Sequence, residues 1–349
     1  MFKITNLKNR ISLDQTQIQC VDGLRATAIL MVIAQHYKTI FGGSGGFLAL
    51  LTTPGAAGVI LFFVLSGLCI SLSKSYEKSW IAFYVVRLFR IVPACWICMA
   101  TFLGIDHFIL QDRISINDLF GTFLMLPNHF QSVLDMNPSL WSLQTEIKLY
   151  LLFPASIVIF NKLNQSKLLI ISLIATVSAY LVWSLSTKTF TYFPPFPALC
   201  HWLIWNMGLT LAFKNFSTQN QEIKNQLWQS LIFIFLGAIT LIIRNHFKSN
   251  IFAFWYLFSG YGFYLFTNWV LVAKPKVLSN KIMSFIGKRS YSLYLIHVPL
   301  AVIFKNYVGY QPISFIITII TVLLFTEISY KLIEIPFHKQ GKQLALRFE

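Results

Sequence analysis

VDGLRATAILMVIAQHY, residues 21–37, carries three ionisable side chains, Asp22, Arg25 and His36, in an otherwise apolar run. At 1.5 Å per residue, a helix continued to residue 41 is long enough to cross the ~30 Å of hydrocarbon in a bilayer. Asp22 and Arg25 are three residues apart, so they can pair on one face. Arg25 and His36 are eleven apart, which leaves a rotation of only ~20° and a separation of ~16 Å along the same face. An ionisable group inside a bilayer costs several kcal/mol unless it faces protein or water. The stripe therefore marks the wall of a cavity. A lone histidine here reads as packed or interfacial, but a histidine on this stripe is a candidate for chemistry.

The rest of the chain follows from that helix. Of its 349 residues 56% are hydrophobic and only 11% are charged, against about 25% charged in soluble domains. The hydrophobic surplus falls in blocks near the length of a membrane span, at 21–41, 55–73, 91–110, 139–160, 168–186, 192–213, 228–243, 250–273, 284–304 and 312–333. These ten segments predict an all-α integral membrane protein. Residues 119–127 are apolar but too short to cross, and they read as interfacial or re-entrant.

Charge places the ends. If the N-terminus lies in the cytosol and the spans alternate, the inside segments hold twenty of the 28 Lys and Arg. The outside connections hold five, Arg113, Lys188, Arg244, Lys248 and Lys305, and Arg25, Lys38 and Lys148 fall within spans. That bias puts both termini in the cytosol and accounts for the net charge of +16 without a nucleic-acid partner. The expected organisation is a polar N-terminal segment at 1–20 with no cleavable signal, one membrane domain at 21–335, and a cytosolic tail at 336–349. Cys95 and Cys98 form a C-x-x-C, but no second pair or nearby histidine completes a metal site. The five cysteines read as small packing residues.

Four further stretches carry candidates. In GVILFFVLSGLCIS (58–71), Ser66 and Gly67 either permit close helix packing or leave room for a thin ligand. In FYVVRLFRIVP (83–93), Arg87 and Arg90 sit one turn apart at the cytosolic mouth, with Pro93 expected to open the third span. Two guanidiniums on one face suit phosphates, and they also suit an anchor to the membrane surface. NPSLWSLQTEIKLYLLFP (137–154) places Glu146 ~10 Å below the outer surface and His36 ~8 Å below it. A carboxylate and a histidine at matched depth fit an orienting pair. Tyr150 follows Glu146 by one turn, and Trp141 stands at the outer rim. In IGKRSYSLYLIHVPL (286–300), His297 reads as a structural hydrogen-bonder before a second catalytic group. Glu334, in YKLIEIPFHK (330–339), reads as a partner for basic loops.

In this order, DGLRATAILMVIAQHY, GVILFFVLSG, RLFRIVP, WSLQTEIKLYLLFP, SYSLYLIHVPL and IEIP resemble the acyltransferase 3 family of membrane acyltransferases over about residues 20–340. The resemblance implies a ten-helix membrane domain, acyl-CoA as donor, and O-acylation of envelope or exported glycans. It matches the family's essential histidine to His36 and its cytosolic R-x-x-R to Arg87 and Arg90. It matches the W-S-L-x-x-E segment to Trp141, Ser142, Leu143 and Glu146. Two places depart from the family pattern. Ala94 and Cys95 follow the proline where a tyrosine is common, and Ile147–Lys148 replaces a polar pair.

The expectation is a bacterial inner-membrane enzyme that takes acyl-CoA, by default acetyl-CoA, from the cytosol. Arg87 and Arg90 would hold its phosphates, and Arg25 and Ser66 would line the path of its pantetheine arm. His36 would act as general base, oriented by Glu146, with Trp141 and Tyr150 at the acceptor. No resident cofactor is expected beyond the donor, and the partners are the donor, a glycan or lipid-linked saccharide, and membrane lipids. The alternative is a transporter or flippase of an envelope glycan precursor.

Overall fold

The computed structural model describes residues 10–42, 55–73, 75–105, 124, 137, 139–186, 196–214, 216, 220–247, 252–309 and 312–349. The short apolar piece 119–127 lies outside them except for Leu124. Every described element is a helix. The long ones are α1 (Gln15–Phe41), α2 (Gly55–Ser71), α4 (Trp80–Ile105), α5 (Leu140–Leu163), α6 (Gln165–Ser186), α7 (Pro197–Leu211), α8 (Asn220–Phe247), α9 (Phe252–Ala273), α12 (Ser290–Val308) and α13 (Pro312–Ser329). Short helices α3 (Ser75–Lys78), α10 (Lys276–Ser279) and α11 (Lys281–Lys288) join them, and α14 (Ile335–Ala345) follows a π-turn at Tyr330–Glu334.

Nine of the expected spans overlap one long helix each; 284–304 is divided at Arg289 between α11 and α12, and α8 begins at Asn220, eight residues before the expected 228. By length and composition, Gln15–Phe41, Trp80–Ile105, Leu140–Leu163, Gln165–Leu185 and Ile313–Phe348 can cross a bilayer, and Gly55–Ser71 is a shorter apolar helix. The outer helices confirm the solvent they meet. Leu185 on α6, Phe235 on α8 and Ile320 on α13 are all more than half exposed, among many apolar neighbours on the same helices. In water such belts would drive aggregation. Against lipid tails they are at rest, and the chain is a multi-pass membrane protein.

Two of the boundaries that differ from the sequence reading have a local cause. Helix α1 begins six residues before residue 21, inside the segment taken as an N-terminal arm. Asp14 accepts the Gln17 backbone N–H at 2.9 Å while the Gln17 side chain accepts the Asp14 N–H at 3.0 Å. This reciprocal cap satisfies donors that a helix start otherwise leaves open. Helix α4 begins at Trp80, and Pro93 lies inside it instead of opening it. A proline removes one helical hydrogen bond, a loss that flanking tertiary contacts sustain here.

Helix α2 is the hub. Apolar on every side and buried along most of its length, it packs against α1, α7 and α9. Contact with α7 is backbone to backbone: a Cβ added at Gly67 would lie 2.0 Å from the Trp205 carbonyl oxygen. A Cβ at Gly208 would lie 1.9 Å from that of Val64. Polar side chains tie further helices, as is usual where lipid offers no hydrophobic drive to associate. The Thr176 hydroxyl donates to the Leu199 carbonyl at 2.8 Å, and the Trp202 indole donates to Ser156 at 2.9 Å. Ion pairs gather at the end bearing the N-terminus. Arg10 pairs with Glu77 at 2.9 Å, and Lys274–Asp14, Lys78–Glu349 and Arg289–Glu327 join neighbouring segments.

Candidate active site

A cavity opens between α1, α2, α4, α5 and α12, with about 820 Å³ of atom-free space including its open mouth. Its polar wall contains Arg25 from α1, Ser66 from α2, Arg87 and Arg90 from α4, and Glu146 and Tyr150 from α5. Six residues singled out from four separate stretches of sequence thus share one surface. Of the two small residues in α2, Ser66 faces this space and Gly67 faces α7.

The charges are unequal. Three guanidiniums line the cavity, and Glu146 is the one carboxylate among its lining residues. Glu146 is already engaged: the Ser66 hydroxyl donates to its Oε1 at 2.9 Å, and the Tyr150 hydroxyl donates to the same oxygen at 2.5 Å. The Trp205 indole N–H donates to Ser66 at 3.3 Å, fixing that hydroxyl from behind. Among the described residues no carboxylate lies within ion-pair distance of Arg25, Arg87 or Arg90. Arg87 is 8% exposed and its Nε has no hydrogen-bond partner among the described residues. Its guanidinium carbon lies 5.6 Å from the Phe83 ring centroid, so an aromatic face supports one side of the plane. A buried guanidinium N–H with no acceptor is costly to a fold. It has chemical sense when an anion fills the space.

The histidine sits elsewhere. No hydrogen bond or ion pair joins His36 to Glu146. Nδ1 of His36 instead lies 2.9 Å from Nε2 of His297, with ring planes 27° apart. The expected orienting pair is therefore corrected: the partner of His36 is the histidine read as structural. Matched depth fixes a residue's height in a helix but not the direction it faces. Glu146 and Tyr150 turn one face of α5 toward α2, whereas α1 turns His36 toward α12. His297 is fully buried, and its Nδ1 lies 3.0 Å from the Leu293 carbonyl.

Tyr294 links the two places. It lines the cavity, and its ring lies 5.9 Å from His297 and 6.3 Å from Phe62. Its hydroxyl donates to the Ser139 carbonyl at 2.5 Å and shares a 2.6 Å hydrogen bond with Ser142. Asn137 donates to the Leu295 carbonyl at 3.2 Å. The beginning of α5 is thus pinned to α12, which sets the Glu146 face against the His297 helix. The sequence reading missed Tyr291 and Tyr294, both in the cavity wall. The successive three-residue steps from Tyr291 to Tyr294 to His297 were a signal that all three lie toward one side of α12.

Other candidates lie apart. Asp22 does not pair with Arg25; Ser284 of α11 donates to it at 3.1 Å. Glu334 is buried and accepts from Ser292 at 2.8 Å instead of pairing with a basic loop. Trp141 lies 6.5 Å from Phe63 and 5.8 Å from His201, ring to ring, behind the cavity lining.

The family model for an acyltransferase domain matches residues 18–330. A provisionally named O-acetyltransferase of Staphylococcus aureus strain COL is 30% identical over 367 aligned residues, covering 92% of this chain and 57% of the relative. The O-acetyltransferase OatA of S. aureus strain NCTC 8325 is 29% identical over 362, with the same coverage. The chain spans little more than half the length of these curated relatives. No solved structure matches it.

Proposed function

The chain belongs to the acyltransferase 3 family, and from that premise we propose that it moves an acyl group, by default acetyl, from cytosolic acyl-CoA to a hydroxyl of an envelope or exported glycan. The observation that carries this reading is the cavity wall: three guanidiniums without carboxylate partners beside a single, already engaged carboxylate. Such a wall receives phosphates, and guanidinium forks match their oxygens. Arg87 and Arg90 would grip the nucleotide end of the donor, and Arg25 and Ser66 would line the path of its arm.

The chemistry then falls to His36. A sugar hydroxyl is a poor nucleophile near neutral pH and needs a base as it attacks. The hydroxyl oxygen bonds to the thioester carbonyl carbon while its proton passes to an imidazole nitrogen of His36. The tetrahedral adduct collapses, the C–S bond breaks, and the thiolate leaves. The imidazolium returns its proton, so the products are the ester and free CoA thiol. In this reading transfer is direct: among the described residues no hydrogen bond joins a serine or cysteine to a histidine that would activate it.

In this reading the ten long helices each cross a bacterial inner membrane and both termini are cytosolic. The gathering of ion pairs at the N-terminal end and the Lys/Arg bias support that arrangement. Purified protein in inside-out vesicles, given labelled acetyl-CoA outside and a saccharide acceptor within, is expected to label the acceptor without a carrier. Transfer only with both substrates on one face would overturn the trans-membrane reading. No turnover of acetyl-CoA with any acceptor, alongside movement of the saccharide itself, would favour a transporter.

A further inference from the structure

His36 has two ring nitrogens, and a base needs a lone pair on the one that meets substrate. Which nitrogen carries the proton is set by what the other one touches. The chain of contacts can be read from its far end. The Leu293 carbonyl oxygen, 3.0 Å from Nδ1 of His297, can only accept, so that nitrogen carries a hydrogen. His297 is fully buried, and no carboxylate lies within ion-pair distance of either ring among the described residues. A ring buried without a counter-charge is a neutral ring. Nε2 of His297 is therefore a lone pair, and the 2.9 Å contact to Nδ1 of His36 requires His36 to donate. The second nitrogen of His36, Nε2, is left bare.

We propose that His297 is a positioning residue: it holds His36 in the tautomer protonated at Nδ1 and presents Nε2 to the acceptor hydroxyl. This rests on the reading of His36 as the base. When His36 takes the proton, its Nδ1–H still points at the His297 lone pair, which stabilises the imidazolium without any movement. A neutral ring thus does what a carboxylate does in a serine-hydrolase triad. Three contacts hold His297 in this pose: the Leu293 carbonyl below it, the Tyr294 ring at 5.9 Å and the Tyr37 ring at 6.5 Å.

The experiment compares His297→Phe with His297→Gln. Phenylalanine keeps the ring and its packing but has no lone pair. Glutamine places an amide oxygen near the position of Nε2 and can accept from His36. His297→Phe is expected to lower kcat by about 100-fold, the scale of a general-base contribution, with the KM for acetyl-CoA unchanged. His297→Gln is expected to recover most of that loss. A Phe variant with wild-type kcat beside an inactive His36→Ala overturns the inference and leaves the base in place. A Gln variant as impaired as Phe overturns it too, since the lone pair would not be what matters. An active His36→Ala sinks the base reading itself. Nitrogen-15 NMR of the histidine-labelled wild-type protein in lipid gives a test that needs no variant of His297. The signals missing from His36→Ala are expected to show a protonated Nδ1 and a bare Nε2, and the reverse assignment overturns the inference.

Discussion

Glu146 is tied to Ser66 in the cavity wall at 2.9 Å, so the lone carboxylate of that wall belongs to the α2–α5 contact and is ion-paired with none of the three arginines. It also takes the Tyr150 hydroxyl on the same oxygen. If one carboxylate organises both hydroxyls, Ser66→Ala and Tyr150→Phe are coupled. The double variant is expected to cost less in kcat/KM than the product of the singles, with a coupling of roughly 0.5–3 kcal/mol. Losses that multiply cleanly would mean that the two hydroxyls act independently.

Arg87 and Arg90 offer forked donors to phosphates. Alanine at either is expected to raise the KM for acetyl-CoA at least ~10-fold, with a smaller change in kcat. Lysine is expected to restore only part, because a point charge cannot fork. An unchanged KM in correctly inserted protein would reduce the pair to a membrane anchor.

Replacing His36 with alanine is expected to abolish transfer while insertion, abundance and donor binding persist. The check is turnover per molecule of folded protein, with donor binding measured separately. Retention of a tenth of wild-type turnover would rule the residue out as base.

Glycine packing separates into two kinds. A methyl at Gly67 meets backbone 2.0 Å away, whereas a methyl at Gly104 in α4 meets nothing within 4 Å among the described residues. Gly67→Ala is expected to lower stability by about 1–3 kcal/mol or more, as overpacking does. Gly104→Ala is expected to be neutral or stabilising by up to about 1 kcal/mol through helix propensity. Thermal unfolding in detergent distinguishes them, and equal effects would count against the close α2–α7 approach.

Asp14, outside the membrane, is held below the usual carboxylate range, first by its hydrogen bond from Lys274 and next by the Gln17 backbone. A carboxyl with a lowered folded-state pKa stabilises the fold above its unfolded value, near 4. That contribution fades as the pH falls through the folded value. Asparagine also caps helices, so Asp14→Asn removes mainly the charge. Its deficit in thermal stability is expected at neutral pH and should vanish in acid. The gap will be small, since both partners are partly exposed. A deficit that persists unchanged in acid would assign it to the cap.

Much of the architecture was legible because lipid imposes simple rules. Long apolar runs had to be helices, and most of the expected spans overlap a single long helix, although 284–304 proved to be two helices broken at Arg289 and several helices begin earlier than their apolar runs. The D-x-x-Q cap before α1 was visible at Asp14 and Gln17, but polarity made it look like a tail. Pro93 looked like a start because a helix tolerates proline best there, yet α4 runs straight through it. The site was legible in one dimension. Depth arithmetic put Glu146 and His36 at similar heights, and the arginine spacing put two guanidiniums on one face. Which helix each face meets depends on packing angles that a single sequence does not encode. That is why His297, and not Glu146, is the neighbour of His36.

The Gly67–Gly208 contact has a mechanical consequence. At that crossing backbone meets backbone, with no side chain between to change rotamer and little for the helices to slide over. They move as one rigid body, and Ser66, held from behind by Trp205, moves with them. Any breathing that admits a bulky acceptor or releases a product must come from the other walls, where α5 and α12 meet through Tyr294 and a few exchangeable hydroxyls. His36, the proposed base, and His297, its proposed positioning residue, sit on α1 and α12, so under that reading the motion that opens the door would also part the pair and switch the base off until the door is shut.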